Sequence, residues 1–199
     1  MNTLQSIADA LRTQGAPDSQ LRRIRALHEL ATQETALRAI FLVGSFAKGT
    51  GHRISDLDLV ALVDSGHEQR ILDLAEPWLD EGTPRLNHFA GRHREIGAFR
   101  KTVYLDFSSV ELHTFRRDAG FRLYQPYLTV WDPEDLAAGC KAEGEPIKHE
   151  DFEPYEYGDT GLIWELVDCI KWLARGRTEL AKRYLVRLGQ KIERSGLRS

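Results

Sequence analysis

Cysteine is scarce in this chain. Only Cys140 and Cys169 occur among 199 residues, too few and too far apart for a disulfide framework or for paired metal-ligand spacing. Two reduced thiols are the expectation, which suits a cytoplasmic protein. An excess of positive charge is missing too. The formal net charge is −3, whereas chains that coat DNA or an anionic membrane are usually basic, so a nucleic-acid partner is not expected. No apolar core follows a basic start, so no secretory leader is expected. The most apolar late stretch, residues 161–174, is interrupted by Glu165, Asp168 and Lys171 and is too short and too charged to span a bilayer. Internal repeats and low-complexity segments are also absent. What is present, 42% hydrophobic and 29% charged residues, describes a globular chain with a real core. It is long enough for one domain, or for a small domain with a helical appendage.

Hydrophobic spacing outlines the elements. Leu4, Ile7, Ala8 and Leu11 recur at helical intervals, and Gly15 and Pro17 stop that helix. Asp18 is placed to cap a second helix with Leu21, Ile24 and Leu27 inward. The apolar run Ala39 to Val43 is short and ends at Gly44, as a buried strand would. A glycine-punctuated loop leads to a strand near residues 54–63, then a helix over 66–80. Two strands, 98–105 and 110–115, are expected around a turn near Asp106, with a short strand over 127–131. The last forty residues read as two helices separated by Gly176, with Thr178 as a cap. Trp164, Leu173 and Leu185 are expected in the core of that region.

The segment Val43 to Val60, VGSFAKGTGHRISDLDLV, carries the chemistry. A buried strand ends at Gly44-Ser45, where a short helix can start. Glycine admits a phosphate close to the backbone, the N–H groups of a helix start attract anions, and the Ser45 hydroxyl adds a donor. Ten residues later come Asp56 and Asp58. Residues two apart on a strand share a face, so Leu57 and Leu59 turn inward while the two carboxylates stand together on the other side. Adjacent carboxylates repel unless a cation lies between them. Mg²⁺ prefers carboxylate oxygens, substrate phosphates and water. A phosphate-binding turn beside such a pair is what phosphoryl or nucleotidyl transfer needs.

The run Gly44-Ser45, ten residues, Asp56-Leu57-Asp58, flanked by apolar strands, resembles the Gly-Ser…Asp-x-Asp signature of the polymerase-beta-like nucleotidyltransferases. Residues 164–188 resemble the helical domain of small lincosamide- and aminoglycoside-type antibiotic nucleotidyltransferases. The resemblance implies an α/β (α+β) fold: a mixed sheet flanked by helices over residues 1–150, a helical domain over 151–199, and an active site in the cleft between. It implies Asp56 and Asp58 as ligands of two Mg²⁺ ions, with Gly44, Ser45 and nearby N–H groups on the phosphates of ATP or another nucleoside triphosphate. It further implies a third carboxylate that completes the metal site or serves as base. Glu111, on the polar face of the strand Val110-Glu111-Leu112, is favoured over Asp106 in the turn, with Glu95 a more distant candidate. Lys171, with Arg175 one turn on, is the carry-over for a basic residue that meets the triphosphate; an ordinary surface lysine is the competing reading. Lys48 and His113 read as a loop and a strand-face residue.

The implied reaction is transfer of a nucleoside monophosphate, AMP from ATP by family habit, to a hydroxyl of a small molecule such as an antibiotic, with release of pyrophosphate. The alternatives are a protein adenylyltransferase of a toxin–antitoxin pair and a non-catalytic nucleotide-binding module. Charge is uneven near the end: residues 142–168 hold nine acidic side chains against Lys148 alone, and residues 171–199 hold nine basic ones against two acidic. Either the two stretches neutralise each other, or Glu150, Asp151 and Glu153 belong to a wall that attracts a cationic acceptor. Failing that wall, the acceptor pocket is expected around His88, Arg92 and Glu95.

Overall fold

The computed structural model describes residues 3–80, 82–146 and 151–196. The chain divides into two compact units, Met1–Glu145 and Pro146–Ser199. The first is a mixed sheet backed by helices. Its strands are β1 (Leu37–Leu42), β2 (Asp56–Val63), β3 (Arg85–His93), β4 (Gly97–Tyr104), β5 (Ser109–Arg116) and β7 (Leu128–Trp131), in the order β3-β4-β5-β2-β1-β7. Only β2 and β5 run parallel; the remaining neighbours are antiparallel. A two-stranded sheet pairs β6 (Leu123–Tyr124) with β8 (Lys141–Ala142), around the short helix α5 (Leu136–Cys140).

Alternation along β2 explains the layering. Leu57, Leu59, Ala61 and Val63 enter the larger core, with Ile40 and Leu42 of β1 and Val110 and Leu112 of β5. Three helices close that face: α1 (Thr3–Thr13) with Leu11, α2 (Asp18–Gln33) with Leu21, Ile24 and Leu27, and α4 (Glu68–Asp80) with Ile71, Leu72 and Ala75. Leu57 and Leu59 are fully buried, and each such side chain stabilises the fold by roughly 1.5–3 kcal/mol. Val60 and Leu62 point the other way, into a smaller cluster with Ala39, Phe41, Phe115 and Leu123. Asp56 and Asp58 are in phase with Val60 and Leu62, so they stand on the face that the three helices leave uncovered.

Two expected caps are not made. Pro17, not Asp18, occupies the start of α2, and no side chain bonds there. At α7 (Thr178–Ser195) the N-cap is Arg177, again without a side-chain bond. Packing fixes both ends instead. Four elements escaped the sequence reading: the edge strand β3, the short strands β6 and β8, and helix α5.

The second unit is a hairpin of α6 (Asp159–Ala174) and α7. Its core is Cys169, Trp172, Ala181, Tyr184 and Leu188, with Trp172 edge-on to Tyr184 at 5.1 Å between centroids. Trp164 is buried as expected, but Leu173 and Leu185 are 47% and 38% exposed. The periodicity showed that both are apolar; it could not show that α6 has a second apolar face.

Candidate active site

The site grows from β2 outward. The strand β1 ends at Leu42, Val43 donates its N–H to the Asp58 carbonyl at 2.8 Å, and α3 (Gly44–Ala47) begins at once. Gly44 has φ +68°, where a side chain is strained. Space forbids one as well: a Cβ there would lie 1.8 Å from Asp58 Oδ2. The Asp58 carboxylate thus occupies the room that glycine leaves. This contact joins the two halves of the sequence motif, and it accounts for glycine more directly than close approach of a phosphate.

The loop between α3 and β2 is pinned from below. Gln14 donates to the Phe46 carbonyl at 3.0 Å and accepts from Gly51 N–H at 2.7 Å. Gln20, fully buried on α2, donates to the Ser55 carbonyl at 2.6 Å. Ser55 in turn accepts from His52 N–H. Neither glutamine carries a local sequence signal; each works across more than thirty residues of chain.

Parallel pairing sets β5 beside this edge. Asp56 is opposite Ser109, and Asp58 is opposite Glu111. Directly paired residues share a face, so the three carboxylates stand on one side of the sheet. Ser109 donates its hydroxyl to Asp56 Oδ1. On the other flank Lys101 of β4 pairs with Glu111, Nζ to Oε1 2.6 Å. His113 reaches the same oxygen through Nε2 at 2.8 Å, and His93 Nε2 lies 2.6 Å from His113 Nδ1. With His93 donating through Nε2, His113 receives at Nδ1 and donates onward to Glu111. The two imidazoles stack at 4.9 Å, and His93 also stacks on Phe115.

Burial alone would push the Glu111 carboxyl up, but Lys101 and His113 outweigh it and hold the group well below the usual carboxylate range. Burial, with His113 next to it, lowers His93 to about 4 against a weaker pull from Glu111. Among the described residues no three His, Cys, Asp or Glu side chains form a ready-made ligand cluster. Asp56 and Asp58 offer hard oxygen donors on one face, a set that suits Mg²⁺ completed by water and phosphate oxygens.

Asp106 and Glu95 lie elsewhere in the first unit. Asp106 is a turn residue: it accepts from Ser19 at 2.8 Å and from the N–H and hydroxyl of Ser108. Those bonds hold its carboxyl below its ordinary value despite burial. Glu95, with Arg92, lines a cavity of about 190 Å³ with Arg94, Arg116 and Glu68. That cavity lies where Gly97 pairs with Phe115, at the far end of the strands from Asp58 and Glu111. Lys171 belongs to the second unit and is no surface lysine. It is 5% exposed, donates to Asp168 at 3.2 Å, and lies 4.8 Å over the Trp164 ring. Within the same unit Glu153 pairs with Lys191, and Glu165 accepts from Tyr184 and from Tyr155 N–H. Part of the acidic stretch therefore meets partners in its own unit. Glu150 lies outside the described residues.

No helix among the described residues is long and apolar enough to cross a membrane. Residues 24–108 match the family model described as "Nucleotidyltransferase domain". Comparison with curated proteins found no match. Among solved structures, a GLD-2/RNP-8 complex is similar at 18% identity and a TM-score of 0.33, covering 56% of this chain and 38% of that one. A non canonical poly(A) polymerase complex, GLD-2 with GLD-3, is similar at 17% identity and a TM-score of 0.33, covering 58% and 40%. The chain thus spans about two-fifths of the length of these structures.

Proposed function

From the match of residues 24–108 to the nucleotidyltransferase domain model, we propose that the chain transfers a nucleoside monophosphate from a nucleoside triphosphate, ATP by preference, to a hydroxyl of a small polar molecule such as an antibiotic. Asp56 and Asp58 would hold Mg²⁺, with Glu111 as the third carboxylate. The bound cation would supply charge neutralisation at the triphosphate. One observation carries the assignment: the Asp58 carboxylate fills the space of a missing Gly44 side chain, so the motif's glycine and aspartate form one built unit.

In this reading Ser45 and the backbone N–H groups beside it bind the triphosphate oxygens. Ser109 fixes the rotation of the Asp56 carboxylate. Glu111, kept ionised by Lys101 and His113, accepts a hydrogen bond from the acceptor hydroxyl and aims its oxygen at the α-phosphorus. The acceptor oxygen bonds to the α-phosphorus as its proton passes to Glu111, the bond from the α-phosphorus to the bridging β-phosphate oxygen breaks, and pyrophosphate leaves. Most of the rate comes from positioning and charge compensation.

The test is incubation with Mg²⁺, each α-labelled nucleoside triphosphate, and a panel of hydroxylated antibiotics beside a short RNA. A labelled small molecule, heavier by one nucleoside monophosphate, is expected. Label on the RNA alone would overturn the acceptor class. Absence of α-label transfer to any acceptor would leave the proposed reaction without support.

A further inference from the structure

One face of the sheet carries side chains in a register that leads to Glu111. On β3 that face holds Phe89, Gly91 and His93. Opposite them on β4 stand Lys101, Phe99 and Gly97, and opposite those on β5 stand Glu111, His113 and Phe115. A neighbouring ring takes the place of each missing glycine side chain. A Cβ at Gly91 would lie 2.4 Å from the Phe99 ring, and one at Gly97 would lie 2.8 Å from the Phe115 ring. With only Gly97 opposite it, His93 reaches across β4. It lies on Phe115 at 4.8 Å between centroids and on His113 at 4.9 Å. Phenylalanine would serve that stack as well as histidine does. The nitrogens of His93 are what the stack does not explain, and one of them, Nε2, is 2.6 Å from His113 Nδ1.

We propose that His93 is a positioning residue for the reaction: it imposes on His113 the tautomer that donates to Glu111, and so holds the carboxylate that receives the acceptor's proton. The inference rests on the role given to Glu111 above. The bonding pattern leaves one consistent arrangement for a neutral imidazole pair. Lys101, 2.6 Å from Glu111 Oε1, keeps that carboxylate ionised, so it can only accept. His113 Nε2, 2.8 Å from the same oxygen, must therefore carry a hydrogen. A neutral His113 then has a lone pair at Nδ1, and His93 must carry its own hydrogen at Nε2 to meet it. Burial, with His113 beside it, holds His93 at about 4, so His93 is neutral at pH 7 and has a single N–H to give. Without that donor His113 loses its preference. With the hydrogen on Nδ1 it would turn a lone pair on the Glu111 carboxylate and break the contact. The side chains of His113 and Glu111 are 19% and 14% exposed, so water is a poor substitute for the missing donor. Of the two donors to Oε1 only Lys101 would remain, and a rotatable ammonium fixes a carboxylate less well than two donors do.

Nitrogen NMR of the imidazole side chains in the full chain at neutral pH tests this, with the His113 signals assigned by their loss in His113→Gln. In wild type, His113 Nε2 is expected to show a protonated nitrogen and Nδ1 a bare one. His93→Phe, which keeps the stack, should draw the two signals together as the tautomers mix. In the same variant kcat for α-label transfer should fall about tenfold, the low end for loss of an outer partner, with KM for the nucleoside triphosphate unchanged. His93→Gln, whose amide can donate to Nδ1, should recover most of the lost rate; a residue that only packs would give the opposite order. Should His93→Phe misfold, His93→Leu, also without a donor, makes the same comparison. A hydrogen on His113 Nδ1 in wild type, or an unchanged His113 spectrum in His93→Phe, would overturn the inference. A changed spectrum with unchanged kcat would confine His93 to structure, also against it. Absence of α-label transfer in wild type would be failure of the reaction itself, and it is told apart because the imidazole signals report without turnover.

Discussion

The two units use carboxylates in opposite ways. In the helical hairpin, Glu165 is a structural tie: it is buried, and it accepts from the Tyr184 hydroxyl at 3.0 Å and from the Tyr155 N–H at 2.9 Å. There the carboxylate organises the chain; burial, with Glu165 next to it, pushes the Tyr184 hydroxyl far above its ordinary value. On the sheet the relation is reversed. Gly44 gives up its side chain and takes a left-handed conformation so that the Asp58 carboxylate has a place, and bonds from Gln14 and from the buried Gln20 hold the loop that frames it. There the chain organises the carboxylate. A fold accepts strain and crowding where the group it positions has work beyond stability, so burial and partner geometry separate functional acids from structural ones when composition does not.

The largest effects should break this contrast if it is false. Asp56→Asn or Asp58→Asn should lower turnover by about 10³-fold or more while leaving the thermal midpoint near wild type. Glu165→Ala should do the converse in unfolding experiments, costing about 1–3 kcal/mol by leaving two buried donors unmatched. A stability loss in the first pair as large as in the second would make Asp56 and Asp58 structural residues too. Gly44→Ala comes next. Its methyl group must displace the Asp58 carboxylate, and a misplacement of that order costs about 10²-fold in rate. Normal kinetics in this variant would show that the close contact has no functional meaning.

A smaller difference should separate Glu111 from Asp106. Glu111→Gln is expected to reduce kcat at saturating Mg²⁺ by about tenfold to a hundredfold. Asp106→Asn, which disturbs the bonds to Ser19 and Ser108 and the attraction to Arg23, should act on stability by about 1 kcal/mol. A severe kinetic defect in Asp106→Asn alone would reverse the assignment. The mildest effect concerns pH. His93 is lowered from 6.5 to about 4 by burial and by His113. Within that window the unfolded chain binds a proton that the native chain does not. Native stability should therefore be complete above about pH 6.5 and decline as pH falls towards about 4, by at most about 3 kcal/mol and less where water reaches the ring. Denaturant midpoints measured across pH should show this slope, and His93→Phe should flatten it.

Much of the carboxylate site was legible in the chain because its signals are local. The Gly-Ser turn, the ten-residue interval and the Asp-x-Asp pair all lie within one strand–helix–loop–strand unit, and period-two alternation put Asp56, Asp58 and Glu111 on polar strand faces. What stayed hidden depends on register between distant segments. Lys101 and Ser109 join the site only because β4 and β2 flank β5 in a particular alignment, and His93 only because β3 pairs with β4. The strand β3 itself was missed because it lies at the sheet edge, where Phe89 is its single buried side chain and no alternation is required. Leu173 misled for the opposite reason: helical periodicity marks an apolar face without saying whether the same chain buries it.

The carboxylate site is tested most directly by labelled nucleotide. Wild-type protein and Asp58→Asn would be incubated in parallel with Mg²⁺, an acceptor, and nucleoside triphosphate labelled at either the α- or the γ-phosphate. Wild-type protein should move the α-label to the acceptor and release the γ-label as pyrophosphate in equal amount, and Asp58→Asn should do neither at a comparable rate. Transfer of the γ-label to the acceptor, or near wild-type α-transfer by Asp58→Asn, would contradict nucleotidyl transfer at the Gly44–Asp58 unit.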